Sequence, residues 1–169
     1  MKKWMNFLIC GVVIVMAASF SICAIGQELE NPIPNSIYVE IHNGTGDLSA
    51  YKIAKIKVSG LDFLLSSVSF VVECPEDIQI LWIRNGNFLG NEIAFFTSIE
   101  GRKIRIGLVA KKEHGTLGSG ILAEIIFSSV KEIDRDRLAE EFKLAEVRGV
   151  DIDGNLVEFV SPPQLKTEI

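Results

Sequence analysis

The sequence is poor in the residues that most often carry out catalysis. It contains two histidines, His42 and His114, which lie far apart and in no metal-binding or nucleophile pattern. Acidic residues are plentiful, but no motif selects two of them as the carboxylate pair of a glycosidase. We therefore predict that the protein is not an enzyme and has no catalytic residues, no metal and no cofactor. The alternative is an enzyme whose catalytic groups are distant in the sequence and are brought together only by the fold.

Cysteine is also scarce. Of the three cysteines, Cys10 and Cys23 lie in the first 26 residues, so the rest of the chain holds only Cys74 and cannot form an internal disulfide. Stability then has to come from an apolar core. Cys74 stands beside Pro75 at the end of an apolar run, and we expect it to be a small buried side chain and not a nucleophile.

The N-terminal apolar run is shorter than the roughly 20 residues that a membrane-spanning helix needs. This run extends from Phe7 to Phe20, follows two lysines and precedes small residues around Gly26. Such a layout is typical of a secretory signal. We predict a signal peptide over 1–26, a secreted or cell-surface protein and no membrane span in the mature chain. Retention of the segment as an N-terminal anchor is the alternative.

The remaining chain is of a size that forms one domain around one core. We predict a linker over 27–36, a single domain over 37–161 and a polar tail over 162–169. The whole sequence has a net charge of −5, and two of its lysines lie in the predicted signal peptide. An acidic domain of this kind is not expected to bind nucleic acid or an anionic membrane surface.

Short apolar runs separated by Gly, Asn and Asp indicate an all-β sandwich of about nine strands. In the run after Ser67, for example, Val68, Phe70 and Val72 share one face, which indicates a strand with one side in the core. Only residues 134–142 have a helical pattern, with Leu138 and Phe142 one turn apart. We read the Gly-rich stretch 115–120 as a flexible loop, because no helix follows it to form an anion site.

Several segments occur in an order and spacing that resemble the cohesin domain, the receptor module of cellulosome scaffolds. These segments are Gly60-Leu61-Asp62, Val68 to Pro75, Lys103 to Leu108, Gly118 to Phe127 (Gly-Ser-Gly-Ile-Leu-Ala-Glu-Ile-Ile-Phe) and Val150 to Asn155. The resemblance covers about Ile37 to Val160. It implies a nine-stranded jelly-roll β-sandwich with one short helix before the last strands. The chain departs from the family at Glu73-Cys74-Pro75, where cohesins usually carry Tyr-Asp-Pro.

The resemblance also implies a function, which is to hold a dockerin, a small calcium-dependent module, against one sheet face. Phe95 and Phe96 are adjacent and point to opposite sides of a strand, so one of them should be an exposed apolar contact. Lys103 and Arg105 fall on the outer side of their strand, where they could steer an acidic partner or simply be solvated. The residues that we assign to the partner-binding face are Ser67, Ser69, Val71, Phe96, Lys103, Arg105, Glu124 and Ile126.

An alternative function is that of a carbohydrate-binding module, since such modules share a related sandwich. Trp82 would then stack on a sugar ring of a polysaccharide. It shares its alternation with Ile78 and Ile80, however, so we expect Trp82 to lie in the core. Asp151, Asp153 and Asn155 alternate as in a calcium loop, but no bidentate Glu follows at the required place. We interpret this segment as a hairpin turn around Gly154.

Overall fold

The computed structural model describes residues 33–111, 115–129 and 135–160, without the side chains of Arg135 and Asp136. The predicted signal peptide, most of the linker and the polar tail lie outside these residues. Within them no helix is long and apolar enough to cross a bilayer. The regular elements, apart from one 3-10 turn, are β1 (Ser36–Asn43), β2 (Lys52–Glu73), β3 (Ile78–Asn85), β4 (Ile93–Glu100), β5 (Lys103–Ala110), β6 (Thr116–Ser129), α1 (Arg135–Glu141), β7 (Lys143–Asp151) and β8 (Leu156–Val157).

Strand β2 is 22 residues long and takes part in two antiparallel sheets. Its residues 52–59 pair with β1, and β6 lies on the other side of this part. Its residues 67–73 pair with β5 on one side and β7 on the other. The eight strands are hydrogen-bonded continuously through β2, which divides them into a four-stranded sheet of order β1-β2-β6-β3 and a five-stranded sheet of order β4-β5-β2-β7-β8. Counting β2 once in each sheet accounts for the nine strands that the sequence predicts.

The two sheets pack over one apolar core. Alternation along β2 puts Val68, Phe70 and Val72 on the inner side of the five-stranded sheet, and it puts Ala54 and Ile56 on the inner side of the four-stranded sheet. Helix α1 also contributes, because Leu138 is buried and the ring of Phe142 just after the helix lies 5.4 Å from that of Phe127. The prediction of an all-β sandwich with one short helix before the last strands is confirmed.

Two local predictions differ from the structure. The stretch 115–120 is not a loop, because β6 begins at Thr116 and pairs there with Leu65 of β2. The apolar alternation from Leu156 to Val160 predicts a last strand over 156–160, but the strand is limited to Leu156–Val157. Val160 then makes only an isolated parallel bridge to Ser36.

Trp82 is 56% exposed on the outer side of the four-stranded sheet, so the expectation that it lies in the core is wrong. Ile80 and Trp82 pair with consecutive residues of β6, which makes Leu81 an extra residue on the β3 side of the ladder. Such a β-bulge reverses the alternation of all later residues. Ile83 consequently packs against the core, and Arg84 points outward with Trp82.

Candidate functional site

The outer side of the five-stranded sheet carries rows of residues that pair across the strands. We call this surface the five-strand face. Its first row is Ala94, Val109, Ser67, Val150 and Leu156; its second is Phe96, Gly107, Ser69 and Arg148; its third is Ser98, Arg105, Val71 and Ala145; its fourth is Glu100, Lys103, Glu73 and Lys143. The face therefore changes from apolar at the first row to charged at the fourth.

The apolar side of the five-strand face exposes large side chains. Phe96 is 63% exposed, Val109 is 45% exposed and Leu156 is 79% exposed. Phe96 lies beside Gly107. A Cβ atom added to Gly107 would be 3.9 Å from the Cβ of Phe96. Exposed apolar side chains that cluster on one face, with polar groups around them, mark interaction surfaces more often than isolated ones do.

The charged groups of the face include two ion pairs and, in the second row, an arginine that is in no ion pair within the described residues. Lys103 Nζ lies 3.0 Å from a Glu73 carboxylate oxygen, and Arg105 lies 3.0 Å from a Glu146 carboxylate oxygen. The hydrogen bond from Lys103 holds the pKa of Glu73 below its usual value. Arg148 is exposed and forms no ion pair within the described residues. Its guanidinium therefore remains available for a carboxylate of a partner.

A shallow depression of about 360 Å³ lies between the apolar and the charged side. It forms where the small residues Gly107 and Ser69 stand between Phe96 and Arg148 in the second row. Glu146 also lines it. The depression is open to solvent, with the aromatic ring of Phe96 at one side and the guanidinium of Arg148 at the other.

A β-bulge in β7 turns Glu146 toward this depression. Ser69 pairs with Arg148 and Val71 pairs with Ala145, so β7 has one residue more than β2 between these pairs. Glu146 takes a positive φ of 51°, a conformation that is uncommon for residues other than glycine. The sequence pattern did not reveal the contributions of β7 and β8, because the bulge breaks the alternation over 143–150.

The structure brings six of the eight predicted partner-binding residues together on the five-strand face. These six are Ser67, Ser69, Val71, Phe96, Lys103 and Arg105. Val71 faces the same side but is only 3% exposed, because Arg105 and Ala145 flank it in the third row, so its predicted exposure is wrong. Whether these residues bind a partner stays a prediction.

The other two predicted residues, Glu124 and Ile126, lie on β6 in the four-stranded sheet. The structure does not bring them together with the first six. Ile126 is also 1% exposed, so its predicted outward exposure is wrong. It faces outward but lies between Ile53 and Trp82, its neighbours on the adjacent strands. Alternation predicts on which side of a strand a side chain lies, but it does not predict the sheet to which that strand belongs.

Asp151 and Cys74, which the sequence analysis also considered, both have structural surroundings that account for them. The Asp151 carboxylate accepts hydrogen bonds from the backbone N–H groups of Asp153 and Asn155, at 2.9 and 2.8 Å, and from Asn155 Nδ2 at 3.0 Å. Hydrogen bonding by Asn155 lowers the pKa of Asp151. Burial raises the pKa of Cys74 to about 12, so its thiol stays protonated. Within the described residues no His, Cys, Asp and Glu side chains cluster as a metal site.

Comparisons with known proteins identify the fold. No family model and no curated protein matches the sequence. A non-cellulosomal cohesin from the archaeon Archaeoglobus fulgidus is similar with a TM-score of 0.56 and 18% identity, covering 75% of this chain and 86% of that one. A type II cohesin from Bacteroides cellulosolvens is similar with a TM-score of 0.58 and 15% identity, covering 76% and 96%.

A third similar structure was determined as a complex. It is the sixth cohesin of scaffoldin B from Acetivibrio cellulolyticus with a mutant Cel5 dockerin, with a TM-score of 0.57 and 14% identity over 75% of this chain and 94% of that one. The arrangement of the two sheets and the similarity to these structures agree with each other. The described part of the chain has a cohesin-like fold.

Proposed function

We propose that this protein is a secreted or cell-surface, non-catalytic module that docks a partner protein of dockerin type on the five-strand face. The observation that carries the proposal is the exposed apolar row of this face beside the open depression. An isolated domain loses hydrophobic stabilisation by leaving such side chains in water. A partner that covers them would recover it.

The chemistry of the face indicates what the partner has to present. Phe96 and Val109 require an apolar counterpart. Arg148, which forms no ion pair in the part of the chain that the structure describes, requires a carboxylate or another strong hydrogen-bond acceptor. Binding energy at protein interfaces is concentrated in a few aromatic and Arg residues that become fully desolvated. Phe96 and Arg148 are residues of these types, and both line the depression.

The side chains around the depression support binding and not catalysis. The hydroxyl side chains that line the depression are those of Ser69, Thr97 and Ser98, and its charged side chains are Arg105, Glu146 and Arg148. Glu146 accepts a hydrogen bond from Arg105 and, within the described residues, none from these hydroxyl groups. A serine nucleophile needs an adjacent general base that is itself positioned by a third group. The described residues lining the depression contain no such arrangement.

Direct binding of calcium-loaded dockerin modules tests the proposal. We expect at least one module from a panel, encoded in the same genome, to bind the full chain in isothermal titration calorimetry. Phe96→Ala and Arg148→Glu should each weaken that binding by about 30-fold or more, as expected for a hot spot of about 2 kcal/mol. Both sites are exposed, so the melting temperature should hardly change.

The matched control is Trp82→Leu, which alters an exposed aromatic residue on the opposite sheet. Its affinity for the dockerin module should equal that of the parent protein. Retained affinity in both Phe96→Ala and Arg148→Glu would show that the five-strand face is not the docking surface. Failure of every dockerin module to bind would show that the partner is of another type.

A further inference from the structure

The outer side of the four-stranded sheet carries a second set of exposed groups, centred on Trp82. We call it the four-strand face. Its first row across the four strands is His42, Ile53, Ile126 and Trp82. The ring of Tyr51 meets that of Trp82 at 89°, with the ring centres 6.1 Å apart. The β3 bulge is what turns Trp82 to this side, so the exposed indole is a built feature of the strand.

The indole is held in place and yet open to solvent. Edge-to-face contact with Tyr51 is a favourable aromatic geometry, which restricts the orientation of both rings. Ile126 beneath is fully buried between Ile53 and Trp82. The described residues nevertheless leave more than half of Trp82 accessible. A positioned aromatic ring of this kind is a platform for a ligand with an apolar face.

Next to the platform, the second row across the same strands alternates in charge. It reads Glu40, Lys55, Glu124 and Arg84. The charges of this row cancel, and Arg84 is in direct contact with the Glu124 carboxylate. Neighbouring strands lie about 4.8 Å apart, so an ionic ligand would meet a like charge beside every opposite one. The row therefore favours a ligand without net charge that can donate and accept hydrogen bonds.

Glu40 is fixed in its ionised form by its neighbours. It accepts a hydrogen bond from Lys57 Nζ at 2.9 Å, and His42 Nε2 lies 3.1 Å from its other carboxylate oxygen. Burial raises the pKa of Glu40, but the hydrogen bonds from Lys57 and His42 outweigh it and hold the pKa below its usual value. Glu40 thus presents a carboxylate that accepts hydrogen bonds at neutral pH.

We infer that the four-strand face binds a neutral polysaccharide, with one sugar ring stacked on Trp82. A pyranose ring has a face of C–H groups with slight positive charge, which complements the negative face of an indole. Its hydroxyl groups can form charge-assisted hydrogen bonds with the second row. This site lies on the sheet opposite the five-strand face and does not depend on the proposed docking function.

Affinity gel electrophoresis of the full chain tests this inference with defined polymers. The probes are hydroxyethylcellulose, xylan and glucomannan, which are neutral, and polygalacturonate, which is acidic. We expect at least one neutral polymer to retard the protein and polygalacturonate not to retard it. Trp82→Leu should lose at least 10-fold in affinity, because leucine still covers Ile126 but provides no π face. Phe96→Ala is the matched control and should be retarded like the parent protein.

Three outcomes would overturn the inference. The first is that no neutral polymer retards the protein, and the second is that Trp82→Leu binds as well as the parent protein. The third is a dimer in analytical ultracentrifugation that Trp82→Leu converts to a monomer, which would make the four-strand face a contact between copies. None of these outcomes affects dockerin binding by Phe96 and Arg148, so the two proposals fail or stand separately.

Discussion

Phe96 and Trp82 show how far the exposure of a single residue can be predicted from its neighbours in the sequence. Because Phe95 and Phe96 are adjacent on a strand, the sequence predicts that one of them is exposed, and in the structure Phe95 packs on the core while Phe96 is exposed. Trp82 was expected inside because it follows Ile78 and Ile80 in alternation. The bulge at Leu81 reversed its side, and no residue type at that position signals a bulge.

Cys74 illustrates a residue whose role is decided by burial. It is 4% exposed, and its neutral thiol acts as a small apolar group. We predict that Cys74→Ser lowers the free energy of unfolding by about 1–3 kcal/mol, because the new hydroxyl is buried among apolar groups. Cys74→Ala should cost less, since it adds no polar atom. Urea denaturation of both variants provides the measurement, and a serine variant as stable as the alanine one would contradict it.

At the scale of the elements, alternation predicted the strands well where the ladder is regular. It correctly predicted that Val68, Phe70 and Val72 share the core side of their strand. It did not predict which strands are neighbours, because pairing depends on contacts between distant segments. Glu124 was therefore placed on the wrong sheet. The bulge in β7 likewise hid from the sequence pattern that Arg148 lines the depression.

That bulge can be tested through the positive φ of Glu146. We predict that Glu146→Gly changes stability very little, because glycine adopts this conformation without strain and this gain offsets its greater freedom in the unfolded chain. The matched control is Lys103→Gly in the regular strand β5, which also removes one exposed ion pair. There glycine should cost about 1 kcal/mol, the range of strand propensities. Equal losses in urea denaturation would mean that Glu146 is not strained.

For the whole molecule, the course of β2 determines how the two sheets depend on each other. The same strand forms the ladder with β1 and β6 and then the ladder with β5 and β7. The inner residues of both sheets also belong to a single core. If one sheet unfolded, the apolar side of the other would be exposed to water. The domain should therefore unfold as one unit, although its two candidate binding faces lie on opposite sides.

Truncating one core phenylalanine from each sheet tests this cooperativity. Phe70 lies on the inner side of the five-stranded sheet and Phe127 on that of the four-stranded sheet, and both are fully buried. We predict that Phe70→Ala and Phe127→Ala each lower the free energy of unfolding by about 3–5 kcal/mol. Each variant should still show one transition, with equal calorimetric and van't Hoff enthalpies. Two separate transitions in either variant would show that the sheets unfold independently, in spite of the strand that they share.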